Sequence, residues 1–569
     1  MTRARPSALL LSAVTLGMTG AILGLGAVAA VAQDLPYERA ALTIVVPDVT
    51  FEDMMGLPAA ADLARAGGAG LLANADEFQL PATPGVPEGT PPGREEFLVL
   101  DRGSPTLDEE IRDAVGSFPA DELLVLLLSQ DADGIAPDGD ELMPIVMAVG
   151  APDTLFPDDG SQGSLTSDST RRAGVVSGAD VRATDVAFLG GPTEDFAGSP
   201  IEIIEGPPPF ELHDRYLAQR RMYVPVGGAA AIYLAISGIG GIVVLALGTR
   251  APRRVRRAFG WACLSVAGLA VGLLAAGHLP ELTYATVVPF VAIVTVFGTL
   301  AFAPLEHRDL LLVPVGIGIA VLVAFAAEAA LGWTAMLTPF VGGSQLDGGR
   351  FYGLPNVGIG ILVGASLWVA HRLRTSAGFA LLVGTALFAG LPYLGSNLGG
   401  AATLFAGAGL WLAVRERDRL GTLKGVGVAA ATMLVGTALV LGLHAISPVE
   451  THVSRFEEQV DGPGGVIDKI VDRLQVGFDL IASNPLALIP VLGMPLAIWA
   501  VLRPPAALRP SLDRSPAWRD AILVTFACGV VAYLVNDTGP AAAGFAFGLG
   551  LGGLLGVSLL SGDGKMGEP

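Results

Sequence analysis

Residues Tyr223 to Arg257 read "YVPVGGAAAIYLAISGIGGIVVLALGTRAPRRVRR", an uncharged apolar run that stops in five arginines. An apolar run of about 20 residues matches the hydrocarbon thickness of a bilayer. Arginines gathered beyond one end mark the side held in the cytoplasm. This stretch fixes both the class of the protein and a starting orientation, and the rest of the chain is read outward from it.

Ten further runs follow the first, 223–248: roughly 258–277, 284–304, 310–332, 357–371, 377–394, 400–414, 426–445, 485–502, 520–536 and 541–561. Of 569 residues, 52% are hydrophobic and 15% charged, far below the quarter charged usual in soluble domains. The basic residues Arg308, Arg372, Arg374, Arg415, Arg417, Arg419, Lys424, Arg503, Arg509, Arg514 and Arg519 fall in alternate connections. Eleven spans with those connections inside agree at every loop. The expectation is spans 1–8 in 223–445, an extracytoplasmic loop at 446–484, spans 9–11 in 485–561, and a cytoplasmic tail at 562–569. Within that loop Ile467, Ile470, Val471, Leu474, Phe478 and Ile481 recur at helical spacing. They form an apolar helix face for the membrane interface or the bundle mouth.

Before the first span, residues 1–32 combine Arg3 and Arg5, an apolar stretch and Ala30-Val31-Ala32, the pattern of a signal peptide or signal anchor. Residues 33–222 then form an exported block carrying essentially all of the formal net charge of −20, which excludes nucleic acid as a partner. Cys263 and Cys528 both lie within apolar runs, so no disulfide holds this block. Its segments "ALTIVVPD", "GLLANA", "DELLVLLLSQDADG" and "ELMPIVMAVG" read as buried strands, with a helical pattern in "PAAADLARAGGAG". Strands alternating with helices predict an α/β domain with a largely parallel sheet. Asp48, Asp131 and Asp133 then stand at carboxyl ends of strands, where such sheets place their sites. They are the candidate metal ligands.

"TIVVPDVTFEDMMGLPAAADLARAGGAGLLANA" (Thr43–Ala75) and "SLTSDSTRRAGVVSGADVRATDVAFLG" (Ser164–Gly190) resemble the two ends of alkaline-phosphatase-superfamily domains. Active members use two metal ions and an activated Ser or Thr. The resemblance carries Asp48 over as the first metal-binding acid. Thr50 and Ser129 stand nearest to a nucleophile's place, while His213 is the sole histidine of the block and has no ligand spacing. It implies a truncated or degenerate domain that binds or positions something. No cofactor is expected, and a divalent metal belongs there only if the domain is active.

The spans leave one polar loop, "GGSQLDGGRFYGLPN" (Gly342–Asn356), on the exported side. Asn397, Asn536 and Asp537 stand in turns of that same side, with Glu328 and His444 at span ends. Arg350 offers a planar fork for a phosphate or carboxylate. Phe351 and Tyr352 suit a head-group belt or a sugar ring. Alternatively, Asp347 and Arg350 pair with each other. "GGRFYGLPN", "LGSNLGGAATL" and "VNDTGP" resemble motifs of bacterial, actinobacterial-type envelope proteins that join an alkaline-phosphatase-like domain to a multi-span bundle. The function expected is therefore a rim, formed by Asp347, Arg350, Tyr352, Asn356, Asn397, Asn536 and Asp537, that binds an anionic lipid-linked substrate. The partners expected are membrane lipids or lipid-linked glycans, and envelope proteins. A scaffold for envelope enzymes, a transporter and an active phosphoryl or phosphoglycerol-type transferase are the alternatives.

Overall fold

The computed structural model describes residues 37–73, 94–130, 142–157, 162–193, 196, 198–206, 209–347, 351–447, 475, 482, 487–536 and 539–561. The expected signal segment, Asp131, Asp133, Arg350, Asp537, the apolar face at 467–481 and the tail at 562–569 lie outside them.

The first half is an α/β domain around an eight-stranded sheet. Its strands are β1 (Tyr37–Val45), β2 (Gly68–Ala73), β3 (Arg94–Val99), β4 (Ala120–Leu128), β5 (Met143–Gly150), β6 (Gly163–Ser167), β7 (Val175–Ser177) and β8 (Ile201–Ile204). The order is β3-β1-β4-β5-β2-β6-β8, with β7 also on β2. β1 pairs parallel with β3 and β4, and β2 parallel with β6 and β7. β5 runs antiparallel to both β4 and β2, and β8 antiparallel to β6. The sheet is thus mixed, where the strand–helix alternation had predicted a largely parallel one.

Side chains of a strand alternate between faces. Ala40, Leu42 and Ile44 of β1 join one core with Met54 of α1 (Phe51–Gly56), Leu63 of α2 (Pro58–Ala66) and Ile111 and Val115 of α3 (Leu107–Gly116). Ala41 and Val45 join the other core, beneath Val181 of α4 (Gly178–Phe188). Burial on both faces is why β2, β4 and β5 read as unbroken apolar runs.

The second half is helical: α5 (Phe210–Leu247), α6 (Arg253–Leu264), α7 (Val266–Ala275), α8 (Tyr284–Leu300), α9 (Ala303–Glu306), α10 (Leu312–Ala330), α11 (Asn356–Ala370), α12 (Thr375–Gly390), α13 (Leu398–Arg415), α14 (Arg417–Ala445, broken at Gly421), α15 (Leu488–Leu502), α16 (Arg509–Leu512), α17 (Pro516–Val535) and α18 (Gly539–Ser561). Among the described residues, seven helices are long and apolar enough to cross a membrane, or eight if the pair α6–α7, bent by 44°, counts as one. These properties identify a membrane protein. An apolar helix stands at each of the eleven expected segments, but α11, α12 and α15, at 15, 16 and 15 residues, fall short of a full crossing. Every residue of α11 after Asn356 is buried. Glycines let it lie against α18: a Cβ on Gly360 would stand 2.1 Å from the Ala542 oxygen.

The arginine-bearing turns meet at one end of this bundle. Arg257 forks onto Glu306 at 2.8 and 2.6 Å, and Arg372 reaches Asp309 at 2.6 Å. The adjacent His371 ring lies 5.0 Å from that of Trp518, and Asp520 accepts from Arg415 and Arg417 at 3.3 and 3.2 Å. The α/β domain contacts the turns at the other end.

Candidate functional site at the junction of the two halves

The turn between β6 and β7 carries Arg171 and Arg172, two cations in an acidic block. Arg171 has a left-handed backbone, φ 54°. Arg172 enters a socket lined with oxygens from the helical half. Its Nε donates to the Phe351 oxygen at 2.8 Å, and Nη1 to the Gly332 oxygen at 2.7 Å. Nη2 donates to Gln345 Oε1 at 2.6 Å and to the Trp333 oxygen at 3.5 Å. Gly332 and Trp333 have φ of 72° and 61°, a left-handed step after α10 that presents both carbonyls to one guanidinium. Burial lowers the Arg172 pKa to about 10, against the opposing charge of Glu328.

Glu328 supports the socket from below. Its Oε1 accepts from the Ala335 nitrogen at 2.6 Å, and its Oε2 stands 2.6 Å from His278 Nε2. Gln345 returns a bond of 2.8 Å from Nε2 to the Gly353 oxygen, so one side chain ties Arg172 to the loop's own turn. Gly353 has φ 84°, and a Cβ there would lie 2.3 Å from the Gly395 oxygen. Only glycine closes this loop against the turn before α13.

Beside the socket, Arg171 stacks over the Tyr352 ring, 4.0 Å from its centre, and Nη1 reaches the Pro392 oxygen at 3.5 Å. Tyr352, Phe351 and Leu346 of the loop share an apolar cluster with Phe51, Leu71, Val175 and Tyr216. α5 completes the seam. Arg215 donates to the oxygens of Gly277 at 2.8 Å and Leu279 at 2.7 Å, and Gln219 to that of Pro339 at 2.6 Å.

The predicted rim residues divide by location. Asn356 and Asn397 meet: Asn397 Nδ2 donates to Asn356 Oδ1 and to the Leu354 oxygen, each at 2.9 Å. Asn397 Oδ1 caps α13, accepting from the Gly400 nitrogen at 2.8 Å. Asn536 is near this pair through α13, with Nδ2 donating to Thr403 Oγ1 at 3.3 Å and a Gly399 Cβ position 2.6 Å from its Oδ1. The first turns of α11 and α13 therefore lie together, with the end of α17 beside them. Tyr352 is buried beneath Arg171, so its ring face is already engaged. Asp347 closes the short helical turn Gln345–Asp347. His444 Nε2 stands 2.8 Å from the Gly390 oxygen.

In the α/β domain, Asp48 has φ 55° in the turn three residues past the end of β1, with its nitrogen on the Gln130 oxygen at 3.0 Å and its main-chain oxygen accepting from Arg102. Thr50 caps α1, accepting from the Asp53 nitrogen at 3.1 Å, and buried Ser129 Oγ accepts from the Val49 nitrogen at 3.0 Å. His213 is buried with its ring 5.1 Å from that of Phe51. No group of three or more metal-ligating side chains occurs among the described residues. Comparison with known proteins gives no match to a family model, a curated protein or a solved structure.

Sequence reading missed Arg171, Arg172, Arg215, Gln219 and His278. The first two had a signal, adjacent cations in a strongly acidic block. The others had none, because a polar residue at the end of an apolar helix looks like any solvated terminus.

Proposed function

We propose that the chain is a multi-pass plasma-membrane protein of the cell envelope whose α/β domain, exported behind an N-terminal signal, is held in a fixed pose on the outer end of the bundle as a scaffold for envelope proteins. The observation that carries this reading is the seating of Arg172 in its socket. Four hydrogen bonds from one guanidinium, with a stacked arginine and an apolar cluster beside it, make the two halves one body. The arrangement uses Tyr352 and Phe351 for docking. The loop-charge pattern supports the orientation, with the arginine-rich turns and the C-terminus cytoplasmic. The alkaline-phosphatase-like segments supply parts of this domain's framework in this reading, with Thr50 and Ser129 serving the backbone.

A second reading keeps the rim as a site for the phosphate or sugar of an anionic lipid-linked substrate. It is favoured by the gathering of Asn356, Asn397 and Asn536 where α11 and α13 begin, since helix N-termini favour anions. Arg350 and Asp537 neighbour these residues in sequence.

Mass spectrometry of lipids retained by the detergent-purified protein, wild type beside Arg350→Ala, separates the two. A phosphate-bearing lipid kept by wild type and lost in the variant establishes the lipid-substrate reading. Equal lipid in both, together with a constant protein partner in crosslinking, establishes the scaffold. Equal lipid and no partner refutes both.

A further inference from the structure

The five arginine-bearing turns hold sixteen Arg and Lys (Arg250, 253, 254, 256, 257, 308, 372, 374, 415, 417, 419, Lys424, Arg503, 509, 514 and 519) against six acids (Glu306, Asp309, Glu416, Asp418, Asp513 and Asp520), a net +10. Several of those acids are already engaged. Glu306 is held by both nitrogens of Arg257, Asp309 by Arg372, Asp520 by Arg415 and Arg417, and Glu416 by Arg419. At the corner where α6 meets the α8–α10 connection, Arg250, Arg254 and Arg308 are exposed. Among the described residues none of these three has an acid at ion-pair distance. The Arg257–Glu306 fork fixes the two turns side by side, so the three cations belong to one corner.

The surface next to this corner is apolar. Val243 and Leu247 at the end of α5 are 51% and 46% exposed, and Phe297 and Leu300 at the end of α8 are 67% and 41% exposed. These side chains suit acyl chains, and they lead within a turn or two into the three exposed arginines. We propose that this corner binds the head groups of anionic phospholipids. Arg250, Arg254 and Arg308 would take the phosphodiester, and the ends of α5 and α8 the upper acyl chain. Fixed cations beside a hydrocarbon-facing wall match the two parts of such a lipid, whereas a soluble anion would use only the first.

The test uses the delipidated full-length protein in detergent, titrated with phosphatidylglycerol or phosphatidylcholine and read by native mass spectrometry. Wild type should retain phosphatidylglycerol in clear preference, at about fivefold per arginine at low salt. The triple substitution Arg250→Gln/Arg254→Gln/Arg308→Gln should abolish the preference, and the corresponding triple lysine variant should keep most of it. Equal retention of both lipids by wild type, or an unchanged preference in the glutamine variant, overturns the proposal. So does full competition by inorganic phosphate, which would reduce the corner to a simple anion site. Should the glutamine triple fail to fold, Arg250→Gln and Arg308→Gln carry the test singly, each expected to cost about fivefold.

Discussion

Arg172 Nε and the Phe351 main-chain oxygen, 179 residues apart, meet at 2.8 Å across the junction of the two halves. Arg172→Ala removes that bond with three others and leaves the socket's oxygens without their donor. Hydrogen bonds to charged groups contribute about 1.5–3 kcal/mol each and are not additive, so a total loss of about 3 kcal/mol is expected. The readout is a lower melting temperature in detergent with faster proteolysis at the junction. Arg172→Lys should recover little, because one ammonium cannot span oxygens arranged for a planar fork.

Asp185 is wholly buried in the α/β domain, with Thr43 Oγ1 at 3.3 and 3.4 Å. Burial first, then the nearby Glu95 charge, raise its pKa well above the carboxylate range, with Arg182 and Thr43 opposing. The folded state therefore holds a proton that the unfolded state releases near pH 4. The stability from this group is complete below that value and is lost as pH rises toward the folded pKa. Asp185→Asn should melt higher than wild type at neutral pH, with a flatter profile as pH rises above about 4. An identical profile in the two proteins would show that Asp185 is ionised in both states.

Gly360 and Gly384 make a matched pair. A methyl at Gly360 would collide with the Ala542 oxygen and the Ala546 nitrogen, at 2.1 and 2.7 Å, whereas nothing lies within 4 Å of one at Gly384. Gly360→Ala should cost about 1–3 kcal/mol by forcing α11 and α18 apart. Gly384→Ala should be neutral or stabilising by up to about 1 kcal/mol, since alanine suits a helix interior better. Melting of both variants in the same detergent provides the comparison.

The proposed orientation is testable by thiol labelling, because Cys263 and Cys528 are 1% and 0% exposed and give little background. Tyr393, 64% exposed in the turn between α12 and α13, should label as Tyr393→Cys with a membrane-impermeant reagent on intact cells. Arg308→Cys should label only after the membrane is opened. The reverse pattern would invert the topology.

Sequence and structure agree where burial is uniform. β1, β4 and β5 were visible as apolar runs because both faces of the sheet are covered, and the helical half as long uncharged stretches. The direction of β5 was not visible, since an apolar run marks a strand without saying which neighbours it will meet. The short α11 was visible, since the apolar run at 357–371 matches it to within one residue, but the burial of Phe351 and Tyr352 in the loop before it was not, because the α/β domain covers them. Tyr352 looked like a free aromatic for a ligand because its partner Arg171 lies 181 residues earlier, and no local pattern joins them.

α5 runs unbroken from Phe210, whose ring lies 5.0 Å from that of Phe51 in the α/β domain, through Arg215 and Gln219 at the seam to Leu247 at the basic end. The domain is thus joined to its first span by helical phase and not by a tether. Each residue inserted between 217 and 224 would swing the domain by about 100° and raise it by about 1.5 Å, carrying Arg172 out of its socket. Seven residues would restore the angle to within about 20° but leave the domain about 10 Å too high to dock. Length changes in this short segment are forbidden in either direction, a constraint that a flexible linker would never impose.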